Sequence, residues 1–152
     1  MKKVILIFLS CACMILGVAG CKNSKNKLNI EDKSNIVISK SDVELTIKDG
    51  TLTNAGAVII LTNNSDKNLQ YSNPYEIEIK KNGEWYKIKT ELNFTLPAFN
   101  LNAKDIKEIE INWKNEYENL PSGTYRIIKK ISYKDENEKY ESFNVAAEFT
   151  IR

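Results

Sequence analysis

The pattern of this chain predicts an all-β fold, a sandwich or a barrel. Three observations carry that reading. Apolar residues recur at every second position in one segment after another. Turn residues separate these segments at regular spacing. No segment holds the 3.6-residue period of an amphipathic helix convincingly.

Residues 1–20 stand apart from this pattern. Met1-Lys2-Lys3 is followed by an apolar run from Val4 to Leu9, and the apolar character continues from Cys11 to Leu16. Gly17-Val18-Ala19-Gly20-Cys21 closes the segment. A basic start, a short apolar run and small residues before a cut are the parts of a secretory signal. The run is shorter than the roughly 20 apolar residues of an ordinary membrane-spanning helix. Val18-Ala19-Gly20-Cys21 resembles the lipobox of bacterial lipoproteins, with Val18 where that family more often has Leu. The resemblance implies that Cys21 receives a diacylglycerol and becomes the first mature residue, and that Cys11 and Cys13 leave with the signal. Each buried methylene adds about 0.8 kcal/mol of membrane affinity, so two or more acyl chains on one cysteine make a durable anchor. The expected location is the extracytoplasmic face of the cell membrane, lipid-anchored.

Residues 21–35 are polar, with few side chains able to bury surface, and read as a flexible stalk. The folded domain is expected over residues 36–152, with Ile36-Val37-Ile38 as a short edge strand. Val43, Leu45 and Ile47 alternate with polar residues as in a half-buried strand, and Asp49-Gly50 marks a turn. The β-branched run within Ala57 to Leu61 suits a central strand buried on both faces. Thr62 to Lys67 reads as a loop. Tyr75, Ile77 and Ile79 alternate up to Asn82-Gly83, and Trp85-Tyr86-Lys87-Ile88 follows. Asn-Gly between two such runs is a strong hairpin signal, because both turn positions need positive φ.

Thr90 to Lys104 is irregular around Pro97, and Phe94, Leu96 and Leu101 are expected to pin a long loop onto the sandwich. Ile109, Ile111 and Trp113 alternate again. Leu120-Pro121-Ser122-Gly123 is a turn, Tyr125 to Tyr133 a strand with Ile127 or Ile128 and then Ile131 inward, and Asp135 to Lys139 a second polar turn. Phe143, Val145, Ala147, Phe149 and Ile151 form a closing strand.

Leu120-Pro121-Ser122-Gly123-Thr124-Tyr125-Arg126 is similar to the turn that enters a late strand in immunoglobulin-like sandwiches. There the tyrosine hydroxyl bonds to backbone a few residues upstream, which makes Tyr125 the candidate structural tyrosine corner. The stretch from Val43 through Tyr133 resembles the bacterial Ig-like domain of Gram-positive lipoproteins and membrane proteins. The matching residues include Leu45-Thr46-Ile47-Lys48, Leu61-Thr62-Asn63-Asn64-Ser65-Asp66-Lys67, Tyr75-Glu76-Ile77-Glu78, Asn82-Gly83-Glu84-Trp85 and Glu110-Ile111-Asn112-Trp113. The resemblance implies an immunoglobulin-like β-sandwich of about seven or eight antiparallel strands and an extracellular setting. It supplies no catalytic or binding residues.

Composition narrows the chemistry. Histidine is absent, so no His-based triad, base or metal ligand exists. Cys21 is the sole cysteine left after the signal, so the mature chain has no intramolecular disulfide. Loss of Lys2 and Lys3 lowers the 22 basic residues to 20, equal to the 20 acidic ones. Such a chain has no electrostatic case for nucleic acid. Ser39-Lys40-Ser41 and Ser132-Tyr133-Lys134 place Ser beside Lys, but neighbours on a strand point to opposite faces. The acids of Asp135-Glu136-Asn137-Glu138 lack the spacing of a calcium loop and fit a solvated turn. Glu108 and Glu110 share a strand face that is expected to meet water and neighbouring lysines.

These absences predict a non-enzymatic module with no cofactor, no metal and no small-molecule substrate, engaging a protein or cell-envelope component. Trp85, Tyr86, Pro97 and Phe99 are the candidate interaction surface, with either Trp85 or Tyr86 inward and the other beside the Leu96-Pro97-Ala98-Phe99 loop. A second reading is a protease inhibitor that presents residues 93–102 as an exposed loop stiffened by Pro97.

Overall fold

The computed structural model describes residues 28–39, 41–90 and 97–152. Cys21 and the rest of the signal, most of the expected stalk, Lys40, Phe94 and Leu96 lie outside the described residues. Among the described residues, ten strands and one short helix follow in order: β1 Ile30–Lys33, β2 Val43–Ile47, β3 Gly56–Asn63, β4 Leu69–Ser72, β5 Glu76–Lys81, β6 Glu84–Ile88, β7 Ala98–Leu101, β8 Ile106–Asn112, α1 Lys114–Tyr117, β9 Gly123–Lys134 and β10 Tyr140–Ile151. They build two antiparallel sheets, of seven strands and of three, the smaller with the order β2-β3-β8. No cysteine falls among the described residues, so the sandwich is held without a disulfide.

The core lies between the sheets. Val43, Leu45, Ala57, Ile59, Leu61 and Ile111 of the small sheet face Ile77, Ile79, Tyr125, Ile127, Val145 and Phe149 of the large one. Trp113 stacks on Phe149 with ring centroids 5.3 Å apart, and Tyr125 stacks on the same ring at 5.6 Å. The Trp113 indole N–H donates to the Asn54 carbonyl at 2.9 Å, so this large buried ring leaves no orphan donor.

The hairpin between β5 and β6 turns at Asn82 and Gly83, whose φ angles of 51° and 84° are the two positive values such a turn demands. The longer hairpin pairs β9 with β10 from Gly123 opposite Ile151 to Lys134 opposite Tyr140. Because β10 occupies one whole edge of β9, β4 and β5 must share the other, one after the other. Tyr71 faces Ile131 and Glu76 faces Ile128, so five steps on one strand meet three on the other. The two extra residues form a bulge at Asn73-Pro74, where Pro74 has no N–H to give a ladder.

Lys129 resolves that break. Its ammonium donates to the carbonyls of Ser72, of Asn73 at 3.2 Å and of Pro74 at 3.1 Å. A bulge strips these carbonyls of their cross-strand donors, and the buried lysine supplies three in their place.

Several expectations are corrected. Ile36-Val37-Ile38 is not a strand; the edge strand is β1, within the segment read as stalk. Ile30 stands opposite Ile88 and Lys33 opposite Tyr86, with an irregular register between. The run in β3 is central but fully buried on one face only, and Val58 and Ile60 are half-buried on the other. The strand runs to Asn63, two residues into the expected loop. Its buried amide donates to the carbonyls of Lys67 and Asn102 and accepts from Ser65. Residues Leu69–Ser72 and Lys114–Tyr117 form a strand and a helical turn that the sequence pattern did not announce. Alternation fails in β5, where Ile77, Glu78 and Ile79 are all buried. The long loop expected over 90–104 contains β7, whose Leu101 is fully buried in the core.

Candidate interaction surfaces

The large sheet turns its outer face away from the core. Lys80 and Glu78 of β5, Trp85 of β6 and Arg126 of β9 meet there, because Lys80 stands opposite Trp85 and Glu78 opposite Arg126. The Arg126 guanidinium gives Nε at 2.7 Å and a terminal nitrogen at 2.6 Å to the same Glu78 oxygen. The Trp85 ring covers this pair, 4.7 Å from the guanidinium carbon, and the Lys80 ammonium lies 5.0 Å from the same ring. Glu78 is fully buried, and its second oxygen has no hydrogen-bond donor.

The chain from Ser34 to Ser39 runs as a strap over this face. The Ser34 amide donates to the Trp85 carbonyl at 2.8 Å, and Arg126 reaches the Ser34 hydroxyl at 3.4 Å. On the far side, the Ser39 amide donates to the Asn144 carbonyl at 3.0 Å. The Asn144 side chain returns a bond to the Val37 carbonyl at 3.3 Å. The strap therefore crosses from β6 to β10, and Val37 at its middle is 75% exposed. Trp85 is half-buried beneath cationic neighbours.

Tyr86 points to the opposite face, since it pairs with Ile79, and is likewise half-buried against the core. Phe99 lies elsewhere. It stands opposite Tyr71, and the two rings stack at 5.3 Å, with Phe99 38% exposed. Tyr71 pairs with Ile131 and Ile79 with Tyr125, six residues apart on β9, roughly 20 Å at strand rise. Phe99 also shares the core-facing side of the sheet with Tyr71 and Ile131, whereas Trp85 faces outward. The structure thus does not bring Trp85 and Tyr86 beside Pro97 and Phe99 as a single patch. Residues 98–101, expected within a presented loop, are instead a strand paired to β4, and residues 93–96 of that loop lie outside the described residues.

A cleft of about 510 Å³ opens beside the bulge, lined by Tyr75, Ile77, Ile88, Tyr117, Ile128 and Lys130 among others. Burial holds both phenols well above their ordinary pKa, so they act as neutral hydrogen-bonding groups. The Tyr117 hydroxyl accepts from the Ile77 amide at 3.0 Å, and the Tyr75 hydroxyl donates to Glu116 at 3.2 Å. These bonds dock α1 onto the end of β5. Glu31, Glu76, Lys87 and Lys130 give the rim both signs of charge. Among the described residues no three His, Cys, Asp or Glu gather as a metal site, and no helix is long and apolar enough to cross a membrane.

The Tyr125 hydroxyl donates to the Pro121 carbonyl at 2.7 Å, four residues upstream. Gly123 leaves room for the ring: a Cβ there would stand 3.2 Å from the Tyr125 hydroxyl. Burial pushes this phenol up to about 12. Glu108 pairs with Lys48 at 2.7 Å on the outer face of the small sheet. The Asp135 carboxylate accepts from the amides of Asn137 and Lys139 at 2.8 Å, closing the polar turn of the β9–β10 hairpin. The sequence pattern missed Glu78, Arg126 and Lys129, since polar residues at strand positions read as solvent-facing.

No curated protein and no solved structure matches the chain. The bacterial Ig-like domain matches residues 39–150, nearly the whole of the sandwich from the end of the strap to the end of β10. With two antiparallel sheets, a tyrosine-closed turn and no disulfide over that span, the chain belongs to the bacterial Ig-like domain family.

Proposed function

We propose that this protein is a lipid-anchored, extracytoplasmic lipoprotein whose Ig-like module is non-catalytic and engages a protein or cell-envelope component. The observation that carries the reading is the order of parts. An apolar run ending in Val18-Ala19-Gly20-Cys21 stands just upstream of an Ig-like domain whose first strand begins at Ile30. Acylation at Cys21 leaves nine residues, Cys21 to Asn29, between lipid and sheet. Fully extended, they reach about 30 Å, enough to hold the module clear of the headgroups.

The surface supports binding over catalysis. Its clustered polar groups, Glu78 with Arg126 and Lys129 with its carbonyls, are buried and engaged with one another rather than turned to a cleft. The outer face of the large sheet and the Tyr71–Phe99 edge offer aromatic and charged side chains on a rigid frame. The experiment is metabolic labelling with a clickable fatty acid in a bacterial host. The native chain takes up label and sediments with membranes, and Cys21→Ser abolishes the label and leaves the precursor uncut. Equal labelling and membrane retention in Cys21→Ser would overturn the proposal.

A further inference from the structure

We propose that β1 is an exchangeable strand, which pairs with β6 of a second copy of this chain to join two molecules reciprocally. The proposal stands on the folded module and holds whether or not Cys21 carries lipid.

Four observations lead to it. First, the family match covers residues 39–150, so β1 and nearly all of the strap precede it. Without them the module's large sheet ends at β6, whose outer edge would be a row of unpaired N–H and C=O groups. That edge has one demonstrated complement, the backbone of Ile30–Lys33.

Second, β1 is weakly held in its own molecule. It has four residues, three of them exposed, and its register with β6 breaks between Ile30 and Lys33. The flanking bonds are Lys89 amide to Asn29 carbonyl and Ser34 amide to Trp85 carbonyl, both 2.8 Å. Its ion pair, Lys33 with Glu84 at 3.0 Å, has both side chains more than half exposed. A pair so open to solvent adds little.

Third, the connection is long and has no turn. The strap of residues 34–39 crosses from β6 to β10, three strand spacings or about 14 Å. A segment that already spans this distance in extended form can deliver β1 to the edge of a neighbouring molecule. Its far end stays fixed by the Ser39 and Asn144 bonds.

Fourth, the exchange is neutral in contacts. Each β1–β6 ladder, Ser34 bond and Lys33–Glu84 pair lost within one copy is regained between copies. The equilibrium is then set by concentration against the strain of the hinge, and a two-fold reciprocal exchange leaves neither β6 edge open. Confinement to a membrane surface would raise the effective concentration and favour the paired form.

The test uses two full-length copies with different epitope tags, co-expressed, one carrying Lys33→Cys and the other Glu84→Cys. Both positions are exposed, so neither substitution threatens folding. A short bis-maleimide is applied, and the denatured products are resolved by size. The expected result is a covalent species bearing both tags, several-fold more abundant than in a control pair of Lys33→Cys with Lys139→Cys, which sits in the distant β9–β10 turn. Two results would overturn the proposal: a product no more abundant than in that control, or crosslinking of a Lys33→Cys/Glu84→Cys double variant wholly within its own chain. Because the assay runs equally on membrane and soluble fractions, failure of lipidation would appear as a change of fraction, separate from a failure of exchange.

Discussion

The Glu78–Arg126 pair gives the sharpest test of the fold. Glu78 is fully buried and Arg126 is 8% exposed. Both guanidinium bonds go to one carboxylate oxygen, and the other oxygen has no donor. Arg126→Met removes every cation from Glu78 while keeping an apolar stem under Trp85. The carboxylate then remains in a dry site with neither oxygen satisfied, at a cost of about 3–5 kcal/mol. The lost guanidinium–Trp85 contact adds roughly 0.5–1 kcal/mol. For a chain of this size each kcal/mol moves Tm by roughly 2–4 °C, so the expected loss is on the order of 10 °C or more. Glu78→Leu with Arg126→Met removes both charges and the orphan oxygen together, and is expected within about 1 kcal/mol of the native protein. Urea unfolding at neutral pH, followed by Trp fluorescence, measures all three proteins. An Arg126→Met variant as stable as the native chain would refute the reasoning, because it would mean that water reaches Glu78 beneath the strap. A double variant weaker than the single one would refute it from the other side.

Other expectations follow from single contacts. Tyr125→Phe removes the bond to the Pro121 carbonyl and should cost about 1–2 kcal/mol by denaturant melt, with the β signature of the far-UV spectrum unchanged. Gly83→Ala forces a side chain to φ 84° and should cost about 1–2 kcal/mol, although a Cβ there meets no atom within 4 Å. Burial lowers Lys129 to about 8, against about 10.4 for an unfolded lysine. Below pH 8 both states hold the proton, so this group adds no slope. From pH 8 towards pH 10 the unfolded chain binds more proton, so the stability of the native protein relative to Lys129→Met should rise, by at most about 1.4 kcal/mol per pH unit. A flat difference in melts at pH 7, 8, 9 and 10 would show that the three carbonyls keep the ammonium charged. Above pH 10 the buried tyrosines, held protonated by the fold, pull stability the other way.

The sequence announced its elements where local chemistry alone decides them. Asn82-Gly83 names its own turn, and Phe143 to Ile151 alternates because one face of β10 meets the core and the other does not. It was silent where tertiary pairing decides. Leu69-Gln70-Tyr71-Ser72 has two apolar residues and becomes a strand because β7 and β9 flank it. Ile30-Glu31-Asp32-Lys33 looks like linker and is ordered by the edge of β6. Glu78 reads as a solvent position because its cation lies 48 residues on, at Arg126. Lys129 reads as surface for the same reason, since the carbonyls it holds exist only where β4 and β5 slip past β9. The aromatic residues were legible as a set but not as a place, because β4–β5 separates them along its length and the pleat separates them by face.

The position of β9 in the chain bears on how the protein is made. Residues 123–134 form the strand against which β4, β5 and β10 all pair. A polypeptide emerging from its N-terminus therefore lacks the centre of its larger sheet until residues 123–134 have appeared. The pairings that await it are long in sequence separation, and such contacts form slowly. Among the pairings of β9, that with β10 alone is local in sequence. The larger sheet therefore cannot close until residues 123–134 are available to it, however early the smaller sheet and the β5–β6 hairpin form.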